Sequence, residues 1–234
     1  MKWNRNELER LSTILEQVSA DLAPMDGKQI LVLCSATGEL VFWLGEMMEK
    51  GKVTGVELNP ESIEISRRAT HEMGLDSMVE FIPAEMKHIP LVDATYDALV
   101  SEFIVYPTAT PTQIGQPEMA RVLKPGGRMI LTNVIVTRPL PADVREKLEI
   151  IGLDYLCEGT PADFHKWMNE AGLINVAVLD LTTTLRSVWE ARREVDRAPS
   201  HLAGYSYLLD HPQFGLGKAI FYVYVRGEKP ESGG

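Results

Sequence analysis

The sequence has few of the features that mark secreted, membrane-spanning or nucleic-acid-binding proteins. It contains two cysteines, Cys34 and Cys157, too few for a disulfide framework and suited to a reducing compartment. No apolar run approaches the roughly 18 residues that a membrane-spanning helix requires. The first residues, MKWNRNELERL, lack the apolar centre of a signal peptide. We therefore expect a cytoplasmic protein without a membrane span.

Positive charge and metal-binding patterns are also scarce. The chain has 23 Lys and Arg against 33 Asp and Glu, a net charge of −10, which disfavours DNA or RNA as a partner. None of the five histidines forms a metal-binding pair at helical spacing, and we expect no metal. Apolar residues make up 45% of the 234 residues, enough to build the core of one α/β domain with insertions or of two small domains.

The most informative stretch runs from Gln29 to Pro60 and predicts a strand, a turn, a helix and a second strand. Ile30 to Leu33 is a short apolar run, typical of a strand that is buried on both faces. The small residues from Cys34 to Gly38 follow it and would let the backbone approach a ligand closely. Glu57 ends the second strand, 19 positions after Gly38, where an acidic side chain can accept hydrogen bonds from ribose hydroxyls. The pattern predicts a site for a dinucleotide or for S-adenosylmethionine.

Strands and helices alternate along the rest of the chain, which predicts an α/β fold with a doubly wound, mostly parallel sheet of seven strands. The predicted strands are 30–33, 53–56, 78–83, 96–102, 128–134, 175–181 and 219–225. The predicted helices include 39–50, 60–73, 112–123, 141–151, one that begins at Thr160, and 185–211 with a break near Pro199. Lys124-Pro125-Gly126-Gly127 is predicted to be a turn, because proline restricts φ and glycine permits positive φ.

An amphipathic helix is predicted over residues 4–22. Its apolar stripe consists of Leu8, Leu11, Leu15, Val18 and Leu22. The stripe favours a helix packed on the domain; the alternatives are a lid over the site or the seam of a homodimer. We divide the chain into an N-terminal helix or lid (1–27), a main domain (28–228) with a helical lid insertion (182–216), and a flexible tail (229–234).

Four segments resemble the class I S-adenosylmethionine-dependent methyltransferases, in particular the small-molecule group that includes the ubiquinone/menaquinone C-methyltransferases. They are 30–38, 55–60, 82–97 and 119–132, and the last (MARVLKPGGRMILT) is the most specific. The resemblance covers residues 28–136 well. It implies a Rossmann-like fold, S-adenosylmethionine as cofactor, and methyl transfer to a small, partly apolar molecule. It also implies that the final strand runs antiparallel between the fifth and sixth strands.

The resemblance also implies site residues. Glu57 would hold both ribose hydroxyls and Leu58 would pack beside the adenine. The complete cofactor set is Leu33, Cys34, Ser35, Ala36, Gly38, Glu57, Leu58, Ala84, Glu85, Met86 and Ser101. Glu102 and Tyr106, after the fourth strand, are the catalytic candidates, with a solvated carboxylate and loop packing as the respective alternatives. The candidate substrate contacts are Phe103, beside them, and His201 and Tyr205, which share a helical face in the insertion.

The chain departs from the family pattern in its first motif. Val32 stands where an acidic residue is usual, and Cys34 and Ala36 stand where glycines are usual. These changes motivate a second hypothesis, a catalytically inactive or non-methylating protein of the same fold that binds a ligand or a partner. Cys34 is either a reactive thiol, activated by a nearby helix N-terminus, or a small residue tolerated in place of glycine.

Overall fold

The computed structural model describes residues 14–85, 88–101, 115–150, 157–184 and 210–231. The helices are α1 (Leu15–Leu22), α2 (Glu39–Glu46), α3 (Pro60–Met73), α4 (Gln116–Val122), α5 (Ala142–Ile150) and α6 (Pro161–Glu170). The strands are β1 (Gln29–Leu33), β2 (Lys52–Glu57), β3 (Val79–Pro83), β4 (Tyr96–Ser101), β5 (Leu123–Val136), β6 (Cys157–Glu158), β7 (Ile174–Asp180) and β8 (Ile220–Glu228). Within these described ranges, no helix is long and apolar enough to cross a membrane.

All the strands belong to one sheet. Seven follow the order β3-β2-β1-β4-β5-β8-β7, and the two-residue β6 pairs with the far end of β5. β8 runs antiparallel to both β5 and β7, while the remaining pairs are parallel. The predicted doubly wound, mostly parallel sheet of seven strands is confirmed, including the antiparallel final strand. The short β6 is an addition that the sequence pattern did not indicate.

The sheet separates two apolar layers because its buried strands alternate their side chains between the faces. Val32, Val100 and Ile130 point into the first layer, which α1, α2 and α3 cover. Leu31 and Leu99 point into the second layer, which α4 and α6 cover. Since both faces are covered, β1 is apolar and buried from Ile30 to Leu33, as its continuous apolar run predicted.

The cap signals at two helix starts are confirmed. Asn59 accepts hydrogen bonds from the backbone of the first turn of α3, and Pro60 is its first residue. Thr160 and Asp163 form a reciprocal capping box at the start of α6. These local interactions satisfy backbone N–H groups that have no partner within a helix.

The predicted turn from Lys124 to Gly127 is wrong, since these residues form a bulge inside β5. Five residues of β5 span the distance covered by two residues of β4, because Tyr96 pairs with Leu123 and Ala98 with Arg128. Gly126 has the expected positive φ of 73°. The Gly126 N–H donates to the Lys229 carbonyl at 2.9 Å, and the Lys229 N–H donates to the Gly127 carbonyl at 2.8 Å. The segment that follows β8 therefore pairs with Gly126 and Gly127, and these residues become part of β5.

The described part of the N-terminal helix packs on the first layer. Leu15, Val18 and Leu22 are exposed by 4%, 0% and 0%, whereas Leu8 and Leu11 lie outside the described residues. The last turn of α1 is also tied to β8 through a polar contact. Asp21 accepts a hydrogen bond from the Tyr224 hydroxyl at 2.6 Å.

The Asp21 carboxylate has two further side-chain partners in the same region. Its carboxylate pairs with the Arg226 guanidinium and accepts a hydrogen bond from Gln17 Nε2 at 3.2 Å. Burial by itself would raise the pKa of Asp21, but the bonds from Tyr224 and Gln17 and the Arg226 charge lower it on balance. The ionised form is therefore the one that the fold stabilises.

We expect Asp21→Asn to reduce the free energy of unfolding by about 1–2 kcal/mol at pH 7, since it removes a charged acceptor from three donors. Urea denaturation at several pH values measures this. Because the folded pKa is lowered, the advantage of the wild type should hold above roughly pH 5 and shrink as the pH falls through 4. Glu170→Gln, which removes the exposed Lys166–Glu170 pair, is the control and should cost less than about 0.5 kcal/mol. A pH-independent difference would contradict the assigned role of the Asp21 charge.

Candidate functional site

The candidate site lies where β1, β2 and β4 end, at one edge of the sheet. Leu33 pairs with Val56 on one side and with Ser101 on the other, so the residues that follow these strands emerge together. This is the edge at which open α/β sheets bind ligands. The structure therefore brings together the loop 34–38, Glu57 and Ser101, three of the regions that the sequence assigned to the cofactor.

The loop after β1 keeps a left-handed backbone although it has lost two glycines. Cys34 and Ala36 have φ of 53° and 46°, and Gly38 has φ of 94°. For a residue with a Cβ this conformation costs about 1–2 kcal/mol. The geometry that the family pattern assigns to glycines is therefore present, at a cost in backbone strain.

Gly38 is the one position in the loop where space as well as φ requires glycine. A Cβ there would lie 2.7 Å from the Phe81 ring and 2.8 Å from the Phe42 ring, which themselves meet edge to face. Gly38 also donates its N–H to the Ser35 carbonyl at 2.8 Å and precedes the first residue of α2. A side chain at this position would separate the loop from the first core layer.

Glu57 holds the loop to the end of β2. Its Oε2 accepts a hydrogen bond from the Ala36 N–H at 2.9 Å. Its Oε1 accepts from the N–H groups of Leu58 at 2.8 Å and Asn59 at 2.9 Å. Three backbone donors from two loops thus converge on one carboxylate, and they orient it at the edge of the sheet.

These contacts leave Glu57 limited capacity for a ligand. A carboxylate offers about four lone-pair positions, and three are already used. One further hydroxyl can bind without rearrangement; a second would replace one of the backbone donors. The Ala36 N–H is the donor that reaches Glu57 from the neighbouring loop, so accommodating two ribose hydroxyls couples the carboxylate to the position of that loop.

An exposed apolar side chain adjoins Glu57 on the side where the resemblance places adenine. Leu58 is 62% exposed, unlike the buried apolar residues of the neighbouring strands. Ala84 donates its N–H to the Glu57 carbonyl at 3.2 Å, and exposed Glu85 follows it. A flat adenine base would cover the Leu58 side chain, and the Glu85 carboxylate would be available to the amino group of the base. The residues at this edge therefore fit the adenosine half of S-adenosylmethionine.

Three predicted cofactor residues turn away from the open edge. Leu33 is fully buried in the second layer, and Ser101, also fully buried, donates its hydroxyl to the Leu33 carbonyl at 3.1 Å. Ser35 Oγ lies 3.0 Å from where a Cβ on Gly55 would stand, beneath the loop. Ser101 thereby links the ends of β4 and β1, and backbone atoms are the available contacts of these three residues with a ligand.

The Cys34 thiol is not activated. Burial, followed by the nearby negative charge of Glu57, raises its pKa to about 12. Since the thiolate is the nucleophilic form, this disfavours reaction at neutral pH. Of the two interpretations that the sequence left open, the structure supports a small residue tolerated in place of glycine.

The remaining predicted residues cannot be placed. Met86, Glu102, Phe103, Tyr106, His201 and Tyr205 lie outside the described residues. Within the described ranges, no group of three His, Cys, Asp or Glu side chains comes together as a metal site requires.

Two residues that adjoin the loop 34–38 were not predicted from the sequence. Ser66, on α3, lies beneath the loop, with its hydroxyl 2.8 Å from the Ser62 carbonyl of its own helix and 3.3 Å from the Ala36 carbonyl. Phe81, on β3, fills the space that Gly38 and Gly55 leave open. Neither has a local sequence signal, because each acts across strands or helices that are distant in the chain.

Comparisons with known proteins agree with this fold. The sequence model of a family described as "Methyltransferase domain" matches residues 24–172, more than half of the chain. The chain belongs to this family. The matched segment begins before β1 and ends after α6, so it contains every described residue of the candidate site. The resemblance inferred from the four sequence segments is thereby confirmed.

The names of individual relatives refer to different methyl acceptors. The chain is 30% identical to an arsenite methyltransferase of Halobacterium salinarum over 179 residues, which are 75% of this chain and 45% of that protein. It is 29% identical to a ubiquinone/menaquinone biosynthesis C-methyltransferase of Cronobacter sakazakii over 106 residues, 45% of this chain and 42% of the other. The chain thus spans less than half the length of these two relatives.

A solved structure shows the same fold. Geranyl diphosphate C-methyltransferase from Streptomyces coelicolor, in complex with Mg²⁺, geranyl-S-thiolodiphosphate and S-adenosyl-L-homocysteine, superposes with a TM-score of 0.74 at 15% identity. The match covers 92% of this chain and 74% of that one. The identity is too low to transfer residue roles, so this likeness supports the architecture alone.

We expect Cys34 to react slowly with iodoacetamide in the folded protein. In a Cys157→Ser background at pH 8, its rate should be about a hundredfold or more below that of an unperturbed thiol, because few molecules carry the thiolate. The same variant unfolded in urea is the internal control and should react at the ordinary rate. Fast labelling of the folded protein would show that the thiol is accessible and activated after all.

Proposed function

We propose that this protein binds S-adenosylmethionine at the edge formed by β1, β2 and β4 and transfers its methyl group to a small, partly apolar acceptor. Membership of the methyltransferase domain family supports the class of reaction. The observation that carries the assignment of the site is the 2.9 Å contact between the Ala36 N–H and Glu57 Oε2. This contact supports the proposal because it holds the Glu57 carboxylate directly against the loop that follows β1.

Each half of the cofactor has a proposed place. Glu57 binds the ribose hydroxyls, and exposed Leu58 packs against the adenine, with Ala84 and Glu85 near its amino group. The loop 34–38 surrounds the amino-acid part through its backbone. The family pattern has a carboxylate at position 32, but this chain has Val32, which is 1% exposed and packs in the first core layer. Another group must therefore bind the ammonium of the cofactor.

Methyl transfer depends mainly on the relative position of the methyl donor and the acceptor atom. When bound, S-adenosylmethionine supplies a sulfonium methyl, whose S–CH₃ bond breaks as the acceptor atom forms the new bond, leaving S-adenosylhomocysteine. If the acceptor atom carries a proton, that proton passes to a base or to water. The described residues contribute by holding the donor in line with the acceptor. Glu102 and Tyr106 remain our candidates for the base or an orienting group, outside the described residues.

The acidic composition bears on partners. With a net charge of −10, we infer that the acceptor is a small molecule and not a nucleic acid. Two cysteines, with Cys34 held in a poorly reactive form, suit a reducing cytoplasm. A homodimer remains a proposal that rests on the N-terminal stripe, and sedimentation of the full chain tests it.

Glu57→Ala should weaken S-adenosylmethionine binding by about 1–3 kcal/mol, because buried ribose hydroxyls lose an ionised acceptor. Calorimetric titration with S-adenosylmethionine and with S-adenosylhomocysteine measures this loss for both ligands. The variant should also melt at a lower temperature without ligand, since three backbone N–H groups lose their acceptor.

Glu61→Ala, an exposed carboxylate in the first turn of α3, is the matched control and should bind both ligands like the wild type. Lower stability with unchanged affinity would leave Glu57 as a structural tie between two loops and remove it from the cofactor site. No binding of either ligand to the wild type would contradict the proposed site itself.

Methyl transfer should release S-adenosylhomocysteine only when an acceptor is present. We would measure its formation by mass spectrometry with arsenite, with a short-chain demethylated quinol and with geranyl diphosphate, since these represent the acceptors named for the relatives. We expect turnover with the quinol, the acceptor that is both uncharged and partly apolar. Tight cofactor binding without product from any of the three would favour the second hypothesis, a non-methylating protein of this fold.

A further inference from the structure

Thr132 and Asn133 interrupt the apolar run Met129–Val136 of β5, and Asn133 lies close to the candidate site. Leu131 pairs with Ser101, the last described residue of β4, so Asn133 lies two residues beyond that point. Side chains two apart along a strand share a face. Asn133 therefore lies on the same face as Leu131 and Ser101, at the edge of the sheet where the cofactor site lies.

The side chain of Asn133 is buried without satisfying its amide. It is 4% exposed, and no group in the part of the chain that the structure describes accepts a hydrogen bond from its Nδ2. A buried donor without a partner is costly and is rare in native proteins. Such an atom in a protein that binds small molecules needs an explanation in terms of a ligand or of structure.

Two other unpartnered atoms among the described residues have different positions. Trp43 Nε1 belongs to α2 and packs in the first core layer, behind the sheet. Ser35 Oγ lies beneath the loop against Gly55. Asn133 differs from both because it faces the second layer, beyond the end of the neighbouring strand β4.

On its face of the sheet, the described neighbours of Asn133 on β5 and β8 are apolar. Its neighbours along the strand, Leu131 and Ile135, are 1% and 0% exposed, and Val223, its partner on β8, is 1% exposed. A charged ligand group in such a place would lose its hydration without gaining an opposite charge. An uncharged oxygen would accept the hydrogen bond while the apolar body of the ligand contacts the neighbouring side chains.

We propose that Asn133 is a substrate-binding residue whose Nδ2 donates a hydrogen bond to an uncharged oxygen, a carbonyl or hydroxyl, of the methyl acceptor. The inference rests on the proposed function, because it names the class of molecule that the same site accepts. It selects neutral, partly apolar oxygen compounds over amines and oxyanions. It also places the acceptor against β5, beyond the end of β4.

The test compares 1-tetralone with tetralin, which have the same carbon skeleton and differ in the carbonyl. Affinities are measured by calorimetry on the full chain saturated with S-adenosylhomocysteine. The wild type should bind 1-tetralone about five- to tenfold more tightly than tetralin, as expected for one buried hydrogen bond. 1-Naphthoate, which adds a negative charge, should bind more weakly than 1-tetralone.

Asn133→Leu should abolish the preference for 1-tetralone, bringing the two affinities within about twofold, while S-adenosylhomocysteine binding stays the same. The ligand-free variant should also melt about 2–6 °C higher than the wild type, because an unsatisfied buried amide is replaced by an apolar side chain of similar size. A merely structural asparagine would give a lower melting temperature. Asn169→Leu, the same change at an exposed position of α6, is the control and should keep the preference.

Three results would overturn the inference: no preference in the wild type, a preference that survives in Asn133→Leu, or a lower melting temperature of that variant. Failure of the proposed function looks different. In that case the wild type would still prefer 1-tetralone and Asn133→Leu would still lose that preference, but no acceptor would yield S-adenosylhomocysteine.

Discussion

The hydrogen bonds of the Glu57 carboxylate hold the candidate site together. One side chain at the end of β2 binds backbone N–H groups of its own loop and of the loop after β1. The parallel pairing of β1 with β2 sets the distance between those loops. The same carboxylate that orders the edge is the one expected to bind the cofactor, so ordering and binding share a limited number of acceptor positions.

The altered first motif keeps the shape of the family's loop at a cost in backbone strain. Cys34 and Ala36 hold left-handed conformations that glycine would adopt at lower cost. The loop tolerates them because Gly38 remains where the Phe42 and Phe81 rings leave no room for a Cβ, and because Glu57 accepts a hydrogen bond from the Ala36 N–H. Strain of this kind is common at functional sites, where the surrounding contacts determine the conformation.

Two polar side chains, Asp21 on α1 and Asn133 on β5, show how hydrogen-bond partners decide the effect of a polar residue on stability. Asp21 is surrounded by donors from α1 and β8, which stabilise its charge and attach the helix to the sheet. The Asn133 amide has no acceptor among the described residues, at the edge of the sheet where a ligand would bind. The first arrangement stabilises the fold; the second costs stability and becomes favourable only when an acceptor enters.

The sequence by itself determined the architecture, since apolar runs, helix caps and turn residues act locally and their order along the chain implies a doubly wound sheet. It also located Glu57 and the loop 34–38, because their spacing follows from the strand–helix–strand unit. Only the tertiary structure decided that Lys124 to Gly127 extend β5, that the Cys34 thiol is protonated, and that Glu57 already binds three N–H groups. Those outcomes depend on the segment that follows β8, on burial and on contacts between separate loops, which no local pattern encodes.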